Sequence, residues 1–65
     1  MTRTQKAQIE VSLMHLVEAL VQTAKALNMP DNNLEAVQES LKWGRGFIAG
    51  LESVERDMLK KKGNR

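Results

Sequence analysis

Apolar positions recur with a helical period along most of this 65-residue chain. In the first half, Ile9, Leu13, Leu16, Leu20 and Leu27 form one row, and Met14, Val17, Val21 and Ala24 form a second beside it. On a helical projection the two rows span an arc of about 160°. Only Glu10 falls inside that arc. Gln8, Glu18, Gln22 and Lys25 lie opposite, with Val11 an apolar exception. Thr2 and Gln5 have the spacing of a capping box, which starts a first helix near Thr2 or Thr4. The predicted helix covers about 3–27.

Pro30 ends it, because proline drives Met29 out of helical geometry and donates no backbone hydrogen bond. The segment Asn28-Met29-Pro30-Asp31-Asn32-Asn33 therefore reads as a short turn, 28–32. Asn32 and Glu35 make the best cap for the next helix, the carboxylate also matching the positive end of the helix dipole. So short a connection makes the two helices antiparallel neighbours.

The second helix is expected over about 33–61. Leu34, Val37, Leu41, Gly44, Ile48, Leu51, Glu55 and Met58 alternate by three and four, a coiled-coil-like row with weak positions at Gly44 and Glu55. Ala36, Trp43, Phe47 and Val54 flank it. Gly44, Gly46 and Gly50 each cost a helix about 1 kcal/mol relative to alanine. Either a helix breaks there, giving a monomeric three-helix fold, or one helix continues and glycine admits a close neighbour. The repeat passes through in phase, which favours continuity with a kink admitted at 44–46. Gly46 and Gly50 match GxxxG, but charged neighbours remove the apolar membrane setting in which that motif drives pairing. The tail 62–65 is expected to fray.

Composition raises the question of a partner. A chain this short sits near the lower limit for a self-sufficient core, and small scaffolds are usually reinforced by disulfides, a metal or oligomerisation. There is no Cys and one His, His15, so disulfides, thiolate metal sites and an imidazole cluster drop out. Each apolar arc is wider than one neighbouring helix can cover: the main leucine-rich rows are expected to make the hairpin contact, leaving Met14, Val17 and Val21 on the first helix and Trp43, Phe47 and Val54 on the second for a partner. The predicted architecture is all-α: a single-domain antiparallel helical hairpin, 1–65, dimerising into a four-helix bundle. The candidate dimer or partner interface is Met14, Val17, Val21, Trp43, Gly44, Phe47, Leu51 and Val54. No segment is apolar enough to span a bilayer and no apolar leader precedes the first helix. A cytoplasmic protein, complete as a small gene product, is the expectation.

Little here reads as catalysis. His15 projects to the solvent side of the first helix with no Ser, Asp or second His at useful spacing. Glu35 and Glu39, or Glu52 and Glu55, read as helix-surface charges rather than opposed carboxylates in a pocket. No catalytic residue, metal ligand or cofactor is predicted. The net charge of +2 conceals a polarised layout. A hairpin gathers Arg3, Lys6, Arg56, Lys60, Lys61, Lys62 and Arg65 at the end holding the termini, and Asp31, Glu35 and Glu39 at the turn. Such a basic cluster complements a helix dipole or contacts nucleic-acid phosphates; with Arg45 it makes Arg3, Lys6, Arg56 and Lys60–Lys62 the candidate nucleic-acid contacts. Trp43 and Phe47, one turn apart, are the only aromatics.

In architecture the whole chain resembles the Rop-type plasmid regulators, short hairpins that dimerise into a four-helix RNA-binding bundle. No residue motif is shared, and the basic residues here gather at the termini and on the second helix, away from the first-helix face that the resemblance implies for RNA. In kind and size it also looks like the small helical accessory proteins of lambdoid bacteriophages, many of them modulators of host proteins. The reading that follows is a non-enzymatic interaction protein, homodimeric, modulating a host or partner protein. A nucleic-acid-binding regulator is the alternative.

Overall fold

The computed structural model describes residues 1–28 and 33–63, with side chains through Lys60. Two helices, α1 (Arg3–Asn28) and α2 (Leu34–Gly63), pack against each other along their lengths as a hairpin. The Cα envelope measures 55 × 18 × 11 Å, a thin slab. The anticipated turn residues Met29–Asn32, the Asn32 cap and the last two residues of the tail lie outside the described residues.

α1 begins with the capping box. The Thr2 amide donates to Gln5 Oε1 at 2.9 Å, and the Gln5 amide donates to Thr2 Oγ1 at 3.1 Å, so two of the free amides of the first turn are satisfied reciprocally. At the start of α2, the Asn33 carbonyl accepts from the Val37 amide at 3.1 Å, and Asn33 Nδ2 donates across the hairpin to the Ala26 carbonyl. α2 runs unbroken through its glycines.

Where the helices meet overturns the expected contact. Along α1 the seam is Gln5, Ser12 and Ala19, all buried, with half-buried Ala26 continuing the same seven-residue spacing. α2 contributes buried Ala36 and Val54, with Trp43, Phe47 and Gly50 half-buried between them. These are mostly small side chains, and they let the backbones come close: a Cβ at Gly50 would overlap Ser12 Oγ, and one at Gly46 would sit 2.9 Å from His15 Nδ1. Thr23 and Ser40 hydroxyls lie 3.0 Å apart across the seam, each within reach of the carbonyl one turn back on its own helix.

The row expected to make the hairpin contact is therefore rotated out of it. Leu13, Leu20 and Leu27 are 55%, 61% and 83% exposed, and Leu34 is 60% exposed. Ala19, Ala36 and Val54 are the only buried apolar residues among those described. At about 1.5–3 kcal/mol for a fully buried large aliphatic side chain, Val54 is the one such contribution among the described residues, with Ile9, Leu16, Trp43 and Phe47 half-buried beside it.

Candidate interaction surface

The two sides of the slab differ in chemistry because both helices place their seam on a seven-residue repeat, so every other repeat position becomes a straight column. On α1 the column a quarter turn from the seam is Lys6, Leu13, Leu20 and Leu27. On α2 the matching column is Val37, Gly44, Leu51 and Met58, and the next one outward is Leu34, Leu41, Ile48 and Glu55. Half-buried Ile9, Leu16 and Phe47 fill the strip nearest the seam. One side of the hairpin is thus aliphatic from end to end, its charges confined to the end that holds the termini. A hollow of about 410 Å³ opens there, edged by Ile9, Leu51, Val54, Glu55 and Met58. Nothing lies within 4 Å of the Cβ position at Gly44, so that column also has a gap at its middle.

The other side is smaller-featured. A groove of about 340 Å³ runs over Ala7, Val11, His15, Gly46 and Ser53. His15, expected on the solvent side, is half-buried at the seam, its ring 5.3 Å from that of Trp43 and tilted by 50°. The missing side chain at Gly46 makes room for it. His15 Nδ1 and Ser12 Oγ have no hydrogen-bond partner and are out of contact with solvent. A ligand in the groove would meet apolar walls and could reach neither atom. Trp43 is fixed from its own helix, Nε1 donating to Glu39 Oε1 at 3.3 Å with Lys42 Nζ 5.4 Å from the ring centroid.

These positions divide the interface residues named from sequence. Leu51, Gly44 and Phe47 lie on the aliphatic side. Val17 is exposed at its outer margin, and Val21 is exposed in the same seven-residue column as Met14. Val54 is only 4% exposed and belongs to the hairpin's own seam. Met14 and Trp43 open onto a depression with Val11 and His15 on the opposite side. They do not form one patch, because the pattern assigned them relative to a seam that lies elsewhere. Leu13, Leu20, Leu27, Val37, Leu41, Ile48 and Met58, expected at the hairpin contact, are exposed on the aliphatic side. The signal that identifies them is the parallel repeat of small side chains, Gln5, Ser12, Ala19, Ala26.

Of the candidate nucleic-acid contacts, Arg3, Lys6, Arg56 and Lys60 are exposed and share the end of the hairpin that holds the termini. Lys61 and Lys62 fall beyond the described side chains. Arg45 is exposed but stands apart, about 22 Å along α2 from Lys60 at 1.5 Å per residue. Asp57, the acid within this end, accepts from Gln5 Nε2 at 2.5 Å, in a polar groove that Arg56 and Lys60 also line. Among the described residues no three His, Cys, Asp or Glu side chains are grouped to hold a metal ion. Among the described residues no helix is long and apolar enough to cross a membrane.

Comparison with protein-family models, curated proteins and solved structures finds no match to this chain.

Proposed function

We propose that the chain is a small interaction protein that works as a homodimer, two hairpins packing aliphatic side to aliphatic side in a four-helix bundle, and that the dimer modulates a partner protein by surface binding. One observation carries the reading: most of the exposed large aliphatic side chains, Leu13, Leu20, Leu27, Leu41 and Ile48 among them, share one side of a slab in whose seam, among the described residues, Val54 is the only buried large aliphatic side chain. An exposed apolar surface of this extent is what interaction sites look like, and a second copy satisfies every column at once. The architecture keeps the four-helix plan of the Rop-type resemblance and leaves the other side of each hairpin free for a heterologous contact.

Sedimentation equilibrium tests it. At tens of micromolar the chain should sediment at twice the mass of one copy, and a monomer there would reject the reading. Leu13→Asp, Leu20→Asp or Ile48→Asp should return the mass to that of one copy. Phe47→Asp is the poorer probe, because Phe47 also packs beside the seam.

A second reading rests on the exposed basic end. Arg3, Lys6, Arg56 and Lys60 stand together there, and phosphate contacts made by them would lose affinity steeply with salt. Binding of DNA or RNA at low ionic strength, weakening as salt rises, supports this reading; no mobility shift with either nucleic acid at low salt rejects it.

A further inference from the structure

We infer that the second copy sits with its turn at the same end as the first, α1 of each lying over α2 of the other, so that Lys6 of one copy meets Glu55 of its partner. The inference rests on the homodimer reading and adds its polarity.

The seam fixes how the columns align. Gln5 stands opposite Asp57, Ser12 opposite Gly50, Thr23 opposite Ser40 and Ala26 opposite Asn33. In a face-to-face dimer with the turns together, α1 of the partner takes these same levels above α2. Leu27 then falls between Leu34 and Val37, Leu20 between Leu41 and Gly44, and Leu13 between Ile48 and Leu51. Each leucine enters a space between two α2 side chains as a knob enters a hole. Gly44, which has open space above it, receives the middle one. The last layer is Lys6 between Glu55 and Met58. The one charge in the α1 column meets the one charge in the two α2 columns.

With the turns at opposite ends the same columns clash in character. α1 then lies over α1, bringing Lys6 to Leu27, and α2 over α2, bringing Glu55 to Val37 and Leu41. Both charges would lose water against aliphatic side chains without a partner. Long-range charge pulls the other way, since like ends meet when the turns are together. Those charges are exposed, and screening over about 8 Å at physiological salt weakens their repulsion. Contact-range desolvation decides the polarity.

Charge reversal and a distance measurement test it. Lys6 and Glu55 are exposed in the hairpin, so their substitution leaves each copy folded. Lys6→Glu and Glu55→Lys should each raise the dimer dissociation constant about fivefold, because the symmetric dimer holds two such exposed pairs and either change breaks both, and the double variant should recover most of that loss. A spin label on Lys25→Cys, near the turn, should sit level with its counterpart, so that the separation is the width of the bundle alone; with the turns at opposite ends Lys25 lies opposite Gln8, and an axial offset of about 26 Å, 17 residues at 1.5 Å each, is added. A dimer with the long separation, or singles that the double variant does not rescue, overturns the polarity and leaves the homodimer standing. A monomer by sedimentation overturns the homodimer itself.

Discussion

The hairpin has two long apolar-capable surfaces, and they solve different problems. The seam joins α1 to α2 through Ser12, Ala19, Ala36 and Gly50, residues with little to bury and little to keep apart. The aliphatic side carries Leu13, Leu20, Leu27, Leu41 and Ile48, each half or more exposed in the single copy. Small residues give proximity, with interhelical hydrogen bonds at both ends of the slab; large ones give the transfer free energy that small ones lack. The difference teaches that this chain separates shape from stability. Its seam sets the hairpin's geometry, and most of its large aliphatic surface lies outside that seam.

The sharpest way to break that contrast is to charge the aliphatic side. Leu20→Asp should cost a dimer about 3 kcal/mol per copy, from lost burial and an added charge, and thermal melting should lose its dependence on protein concentration. If Leu20 faced only water, the change would fall within about 0.5 kcal/mol. Next in size is Gly50→Leu. The new side chain would occupy the place of Ser12 Oγ and should destabilise the fold by about 3 kcal/mol through overpacking, read as a fall in the denaturant midpoint. Gln5→Ala removes half of the capping box and the bond to Asp57 together; a loss of about 1–2 kcal/mol is expected in the same titration. The smallest effect has the opposite sign. Gly44→Ala should add about 0.5–1 kcal/mol of helix propensity to the single hairpin, since nothing approaches that Cβ there. A net loss of stability at dimer-forming concentration would mark the space above Gly44 as filled by the partner's Leu20.

Much of this was legible in the residues. Periodicity gave both helices, Thr2 and Gln5 gave the cap, and Pro30 separated two neighbours that do pack together. The seam was not legible from the same pattern, for a physical reason. A hydrophobic projection weights side chains by size, so it assigns the largest row to the nearest helix. Here the nearest helix takes Ser12 and Ala19, because the free-energy advantage of close approach depends on having little side chain in the way. His15 shows the same effect. Judged by distance from the leucines it belongs in solvent, yet about a quarter turn beyond the leucines lies the seam, and glycine on the other helix leaves it a place. The residues named for an interface divide: Leu51, Gly44 and Phe47 lie on the aliphatic side, whereas Val54 lies in the hairpin's seam and Trp43 and Met14 open onto the other side.

One side chain near the start of the chain has a consequence for how the molecule opens and closes. Gln5 caps α1 with its carbonyl oxygen and holds Asp57, 52 residues later, with its amide nitrogen. The first turn of a helix is ordinarily the earliest to unwind and the quickest to exchange its amide protons. In this chain that turn is tied to a residue that folding can bring near only after the intervening loop has closed. Amide protons of the first turn should therefore exchange in step with those facing Asp57 on α2, the two ends of the sequence opening as one unit rather than fraying separately.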